Sequence, residues 1–392
     1  MRRGLSFFLL LAPALALAGL GVLMVTSTTA HHATAAFGDP RHFVVRQLIA
    51  IALGAAVALA IVRAGPARLL QAAPVIFVVA LLAALAVFVP GIGVRAAGAR
   101  RWLHIGALTG SPAPILTLAV ALIISAWGRD PEDAPPAPRV GLPPAAGAAP
   151  SGARPADPMA RLVLALALAF VALLALVIEP DFSAAAIAGA VGLAALAGLG
   201  FRGRRLVPAT AALVLALMLV ASQFAYVSGR LRGFIAPERD RHGKGFEVLA
   251  IARAAAGATP SGAGLGHGEA RHRLSSPGSD YVFAIVTEEM GKTVARGVVL
   301  AWMAMAAGAV LAARGLGDRR MRALALSSGL AMVAPAALHI AVCTGLVPII
   351  GVTMPLVSYD PAATLAAGAE IGLIASIALA APVRAPELAG AG

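Results

Sequence analysis

One cysteine, Cys343, serves the whole 392-residue chain, and it lies in an apolar run. No intramolecular disulfide can therefore staple the fold. Charge is also scarce: 12% of residues are charged against 60% hydrophobic, which excludes an ordinary soluble globule of this size. Lysine is confined to Lys244 and Lys292, so the formal charge of +13 sits almost wholly on arginine. Those arginines are scattered through short polar intervals, and nucleic acid is not an expected partner. Strand-like alternation is nearly missing and Ala and Leu abound, which favours membrane helices over a β-barrel. The glycine run from Gly262 to Gly268 lacks the Lys-Ser/Thr ending of a phosphate-binding P-loop and is read as tight turns. His31, His32 and His42 are spaced too loosely for a metal site. No inverted repeat of the kind found in secondary transporters is visible.

What is present is a series of apolar runs of membrane-spanning length. The expected fold is an all-α integral membrane protein of about ten transmembrane helices, with a long extracytoplasmic loop between helices seven and eight. The expected spans are Leu5 to Val25, Val44 to Val62, Ala73 to Val89 and Ile115 to Trp127, within 1–128. A Pro/Ala-rich cytoplasmic linker at 129–160 follows. Leu162 to Val177, Ala184 to Leu199 and Ala211 to Tyr226 fill 161–226, and the large loop occupies 227–281 with an amphipathic piece around Phe246 to Ala255. Val298 to Ala313, Leu324 to Leu346 and Ala362 to Ala381 then fall within 282–392, with a short cytoplasmic tail. Arg63, Arg68, Arg202, Arg204, Arg205, Arg314, Arg319, Arg320, Arg322 and Arg384 mark the inner side, which places both termini in the cytoplasm. Arg95, Arg100 and Arg101 break that rule, and an anionic ligand would explain them.

The stretch from Ser275 to Gly291 is where carboxylates stand at a membrane boundary, a costly arrangement that marks a functional candidate. Asp280 has two readings: cap of a helix beginning at Tyr281, or catalytic group. Glu288 lies eight residues beyond it, about 12 Å along an ideal helix, too far for one acid/base pair. The spacing predicts that Glu288 pairs with Lys292, and Glu289 with Lys292 or Arg296. Asp181 is expected to cap the sixth membrane helix. His339 and Glu370, inside membrane helices, need partners and are candidates to pair with each other.

Several short motifs, in order, resemble the SEDS family (shape, elongation, division and sporulation). Pro90-Gly91-Ile92-Gly93 followed by Gly98-Ala99-Arg100-Arg101-Trp102 is similar to its PGIG…NGARRW run, and favours the division branch over the elongation branch. Glu179-Pro180-Asp181-Phe182 resembles QPDxG, Gly262 to Gly266 resembles GxGLG, Asp280 to Gly291 resembles DFIFAIIGEELG, and Val352 to Tyr359 resembles IPLPFISY. The resemblance implies polymerisation of lipid II into glycan strands at the outer face of the bacterial cytoplasmic membrane, beside a class B penicillin-binding protein. It places Asp280 at the family's catalytic aspartate, as general base or as ligand of a divalent cation (magnesium or manganese). It makes Arg100, Arg101, Trp102, Arg230, Arg232, Lys244, Ser358 and Tyr359 the substrate-binding candidates, with Glu288, Glu289, Lys292 and Asp181 as structural or cavity charges.

The chain also departs from the family pattern. Ser111-Pro112-Ala113-Pro114 and Thr117 stand where the family has QPSE and a lysine. Leu274 to Asp280 replaces LPExHxD, and Asp360-Pro361-Ala362-Ala363 replaces GGSS, with Pro361 expected in the first turn of the last helix and Asp360 as its cap. These departures keep two alternatives in view: a non-catalytic membrane scaffold that activates a class B penicillin-binding protein, and a lipid II flippase.

Overall fold

The computed structural model describes residues 2–96, 99–105, 108–127, 158–201, 203–240 and 243–380. The expected linker up to residue 157, Gly98, Arg202 and the tail with Arg384 lie outside them. Among the described residues, seven helices are long and apolar enough to cross a membrane. These are α1 (Arg2–Phe37), α2 (His42–Ala64), α3 (Pro66–Leu85), α5 (Pro158–Ile178), α12 (Gly291–Ala313), α13 (Arg319–Cys343) and α14 (Pro361–Ala380). Helices α4 (Ala113–Trp127) and α6 (Phe182–Gly198) are shorter apolar helices. A bent pair, α7 (Gly203–Ala221) and α8 (Ala225–Ile235), makes an eighth when its two halves are taken together. Each apolar run expected as a membrane helix is thus a helix, and seven or eight of them are of spanning length.

Helices α3 and α12 begin about seven residues before their expected starts, at Pro66 and Gly291, and three further differences have a local reason. Helix α1 continues past Val25 to Phe37, because Thr26, Thr28 and Thr29 return their hydroxyls to the carbonyls of Val22, Met24 and Val25. Polar residues satisfied inside their own helix do not end it. Gly38, with φ of 72°, does. The span expected to run to Tyr226 stops at Ala221 and turns by 101° into α8. There Ser222 and Gln223 side chains bond back to the carbonyl of Leu219. The loop expected at Gly91 to Gly110 contains a three-stranded antiparallel sheet, β1 (Gly93–Ala96), β2 (Ala99–Ile105) and β3 (Leu108–Gly110).

The helices meet through small residues, which let backbones approach closely in lipid. Helix α14 lies on α2 with Gly368 against Gly54 and Gly372 against Ala58; a Cβ added at Gly372 would fall 2.7 Å from the Ala58 Cα. Helix α6 meets α13 where Gly198 faces Ala323, and Arg322 Nε donates to the Gly198 carbonyl at 2.8 Å. Helix α1 meets α12 through the Ser6 hydroxyl, which donates to the Gly308 carbonyl at 2.8 Å. One core gathers α1, α12, α13 and α14 with the shorter helices α9 (Lys244–Gly257), α10 (Ala270–Arg273) and α11 (Val282–Glu289). A second gathers α3 to α6 against α13 and α14. The sheet, α8 to α11 and the loop at 346–360 all collect at one end of the bundle.

Candidate active site around Asp280

Asp280 sits in the turn before α11 rather than on the helix. The α11 N-cap is Tyr281, with no side-chain capping bond, so the capping reading is set aside. The backbone N–H of Asp280 donates to the Ser276 carbonyl at 3.1 Å and closes the turn. That turn is stitched to the 346–360 loop: Tyr359 N–H donates to the Gly278 carbonyl at 2.8 Å, and the Ser358 hydroxyl donates to the Ser279 carbonyl at 2.7 Å. The Ser358 oxygen also accepts from Met354 N–H at 2.9 Å, so this hydroxyl is engaged in holding the two loops together. The Tyr359 hydroxyl bonds Arg46, and its ring meets Phe43 edge-on at 4.9 Å. Leu356, buried with φ of 67°, is a strained position in the same loop.

His339 of α13 completes the frame. Its Nε2 accepts from Phe283 N–H at 3.3 Å while its Nδ1 reaches the Val352 carbonyl at 2.7 Å. A carbonyl only accepts, so Nδ1 carries the proton and Nε2 is bare. The expected pairing of His339 with Glu370 is therefore corrected: His339 lies at the site end of α13 and meets backbone from two loops. His339→Leu leaves a buried N–H and a buried carbonyl unpaired, at a cost of about 1–3 kcal/mol. The expected outcome is a lower melting temperature in detergent; an unchanged one would remove His339 from the frame.

Positive charge converges on Asp280 from three elements. Burial pushes its carboxyl above the ordinary 3.8, against the downward pull of Arg230, Arg101, Lys244 and the Ser279 hydroxyl. Arg230, on α8, donates Nη1 to the Ile350 carbonyl at 3.1 Å and lies over the Tyr226 ring, 5.3 Å from its centroid. A Cβ added at Gly351 would stand 3.6 Å from Asp280 Oδ2 and 3.7 Å from Arg230 Nη2, so that residue is wedged between the two. Arg232 is two residues on, near the opposite side of the helix, and instead bonds the Ser228 carbonyl on the exposed face.

Arg101 and Arg100 separate for a different reason. Strand pairing passes from Val94–Trp102 to Arg95–Arg100 and skips Arg101. The bulge re-aims Arg101 inward, a common device beside active sites. Its Nη1 stands 3.9 Å from Asp181 Oδ2, and its Nε is buried without a partner among the described residues. Arg100 remains exposed and Trp102 is half-buried. Asp181 caps α6 as expected, accepting from Ala184 N–H at 3.0 Å, and also faces Arg101.

Two carboxylates emerge that the sequence did not single out. Glu247, on α9, gathers Lys244, the Ser275 hydroxyl and the Tyr281 hydroxyl, and so grips both flanks of Asp280. Burial raises its pKa, yet these three hydrogen bonds and the Lys244 charge bring it below the usual value. The amphipathic piece at Phe246 was the one signal for it. Glu179, in the turn before α6, is buried with both oxygens unpartnered. Burial, then Asp181, raises its pKa to about 8 against the pull of Arg101, so it carries its proton at neutral pH.

The expected pairing of Glu288 and Glu289 with Lys292 and Arg296 is corrected. Gly291, with φ of 87°, breaks the helix between them, and helical spacing no longer applies. Glu288 instead accepts from the backbone N–H groups of Glu269 at 3.1 Å and Ala270 at 3.0 Å. Glu289 accepts from the Ser27 hydroxyl and Gly266 N–H, with Arg271 4.0 Å away. Lys292 is placed by its backbone, which donates to the Thr259 carbonyl at 3.1 Å. The altered Asp360-Pro361 turn behaves as expected: Asp360 caps α14 through Ala363 N–H at 3.0 Å and accepts from the Thr353 hydroxyl at 2.9 Å.

The chain resembles known proteins over nearly its whole length. The family profile for cell cycle proteins of the FtsW, RodA and SpoVE type matches residues 7–381. A protein of Idiomarina loihiensis named probable peptidoglycan glycosyltransferase FtsW is 28% identical over 372 residues, covering 93% of this chain and 85% of its own. Its namesake in Halorhodospira halophila is 30% identical over 364 residues, covering 91% and 86%. Among solved structures, the rod shape determining protein RodA of Thermus thermophilus matches with a TM-score of 0.63 at 20% identity, over 95% of this chain and 96% of its own. A chain from a structure of a peptidoglycan synthase complex, described as coordinating polymerization and crosslinking, matches with a TM-score of 0.69 at 20% identity, over 94% and 96%. The structural likenesses establish the fold.

Proposed function

Because the chain belongs to the FtsW, RodA and SpoVE family of cell cycle proteins, we propose that it is a peptidoglycan glycosyltransferase, a multi-pass membrane enzyme that polymerises lipid II with Asp280 as general base. One observation carries the residue assignment: the Asp280 carboxyl, raised by burial, lies where the charges of Arg230, Arg101 and Lys244 all act on it. A sugar hydroxyl gives its proton to Asp280 as its oxygen forms a bond to the anomeric carbon of the second substrate. The bond from that carbon to the diphosphate oxygen breaks, and the diphosphate leaves with the electron pair. In this reading the three cations, of which Arg101 and Lys244 also face Asp181 and Glu247, neutralise part of the charge that develops on it. A carboxyl raised from its ordinary value is a stronger base near neutral pH than a free one.

Among the described residues no three His, Cys, Asp or Glu groups cluster to hold a metal ion. The alternative role for Asp280 is to hold a magnesium or manganese ion carried by the substrate's diphosphate, in place of acting as base. Bound so, it would neutralise leaving-group charge. The partner we assign is a class B penicillin-binding protein, and the site faces the extracytoplasmic side, with both termini in the cytoplasm. The capped Asp360-Pro361 turn removes one argument for the scaffold alternative, since that turn is built with its hydrogen bonds satisfied.

The test is lipid II polymerisation by the purified protein with its cognate penicillin-binding protein, whose transpeptidase is blocked. Glycan strands on a gel support the enzyme; a bound, folded complex that makes none supports the scaffold. Transport would show as lipid II movement across a vesicle bilayer without polymer. The cation cluster has its own expected result. Arg230→Ala weakens lipid II binding, more at low salt than at high salt, because screening already attenuates the charge at high salt. Equal affinities at both salts would return Arg230 to a structural role.

A further inference from the structure

Glu179, in the turn between α5 and α6, has no part in the chemistry above, yet its surroundings are unusual for a carboxyl group. The residue has no exposed surface, and neither carboxyl oxygen has a hydrogen-bond partner among the described residues. Two residues on, Asp181 takes the donors that an anion would need. It accepts from the Ser183 hydroxyl at 2.7 Å and Ala184 N–H at 3.0 Å, with Arg101 Nη1 at 3.9 Å. When two carboxyl groups compete for one guanidinium, the one that also has hydrogen-bond donors ionises first. Asp181 is therefore the anion and Glu179 the neutral acid. Burial, then the Asp181 charge, raises the Glu179 pKa to about 8 against the pull of Arg101. Glutamate also stands where the similar QPDxG motif has glutamine, the uncharged isostere of that neutral form.

Arg101 is the other half of the arrangement. Its charge acts on Glu179 and Asp280 as well as facing Asp181. Its buried Nε proton has no acceptor among the described residues, and Glu179 has two oxygens without a donor. Tyr226 of α8 ties the same turn to the cation cluster. Its hydroxyl donates to the Pro180 carbonyl at 2.8 Å, and Arg230 lies over its ring. The helices packed on α5 and α6 bring little else that titrates to this end. Helices α4 and α6 have no titratable side chain, and the arginines of α3, α5 and α7 stand at the opposite ends of their helices. Helix α13 contributes His339, already held by Phe283 and Val352, and the buried thiol of Cys343.

We propose that Glu179 is a positioning residue acting through Arg101: neutral, it leaves the guanidinium to Asp181 and the Asp280 site, and ionised, it takes the guanidinium as its own counter-ion. The effect on activity rests on the glycosyltransferase reading. No proton of Glu179 enters the reaction; the residue sets how much of the Arg101 charge the leaving diphosphate meets. Polymerisation is then expected to fall as pH rises through about 8.

The experiment compares wild type with Glu179→Gln and Glu179→Met, full chains in nanodiscs, well below and well above pH 8. Either uncharged variant suffices, so misfolding of one leaves the test intact. Two measurements need no activity. The infrared difference between wild type and a variant is expected to show one protonated carboxyl, fading as pH rises through about 8. Inorganic pyrophosphate, the probe for the cation cluster, is expected to bind all three proteins alike on the acid side. On the alkaline side it should bind wild type about tenfold more weakly than the variants, the worth of one charge-assisted hydrogen bond. With the cognate penicillin-binding protein present, wild type should lose polymerisation over the same interval and the variants should keep it. An alkaline loss absent from wild type, or equal in the variants, overturns the proposal, as does a difference spectrum without a protonated carboxyl at neutral pH. If pyrophosphate affinity shifts as expected yet no polymer forms at any pH, the control of Arg101 stands and the glycosyltransferase reading falls. If polymer forms with the same alkaline limb in all three proteins, the reverse holds.

Discussion

Asp280→Ala is expected to abolish lipid II polymerisation while leaving the protein folded and bound to its partner. Positioned general bases contribute typically ~10²–10⁴-fold, so residual activity should fall by at least about 100-fold. The carboxylate is no cap of α11, so its removal opens no helix end. Asp280→Asn separates charge from shape and should be as inactive. Its stability carries a second signature. Burial raises the Asp280 pKa above the ordinary 3.8, so the fold favours the protonated carboxyl and resists the ionised one. That penalty is present above the folded-state pKa and absent below the ordinary value. Asp280→Asn should therefore melt higher than wild type at neutral pH, with the difference shrinking as pH falls into the carboxylate range. Wild-type activity should fall over the same interval as the base gains its proton. Arg230→Gln should move that acidic limb to higher pH, since Arg230 holds the pKa down. A polymerising Asp280→Asn protein would end the general-base assignment.

Gly291→Ala is expected to be the most damaging substitution outside the cluster. Gly291 and Gly262 lock two turns together at the start of α12, with φ of 87° and 79°. A Cβ at Gly291 would stand 2.3 Å from the Pro260 carbonyl oxygen and 2.4 Å from Gly262 N, both backbone atoms that cannot rotate away. Left-handed backbone and overpacking together cost about 2–5 kcal/mol. Shifting this junction also releases Glu288 and Glu289, which hold the 262–271 segment. Gly297→Ala is the control: it lies in the same helix with nothing within 4 Å of its Cβ. Placing Ala in a helix interior should stabilise by roughly 0.5–1 kcal/mol. Melting temperatures of the two variants should move in opposite directions. If both melt like wild type, the two-glycine junction does not hold the loop.

The membrane helices were legible from sequence because insertion is decided locally, by about 20 consecutive apolar residues. The family was legible because its motifs keep their order, and Asp280 stood out because carboxylates are rare at a membrane boundary. The cap at Asp360 and the cap at Asp181 were likewise local, each a short polar group before a helix. What the sequence could not decide is which charges meet. Arg100 and Arg101 are neighbours, yet a bulge visible only in the strand register turns one inward and leaves the other exposed. Arg230 and Arg232 share a helix but not a face. Glu247 resembled any polar residue of an amphipathic helix until α9 was set against the Asp280 turn. Glu288 and Glu289 looked like helix ion pairs because spacing rules assume an unbroken helix, which Gly291 interrupts. Charge–charge energies depend on distance and burial, and both are set by long-range packing. The sequence by itself determined the membrane architecture, the family and the catalytic candidate; the tertiary structure decided the cations that face it and the carboxylate that braces it.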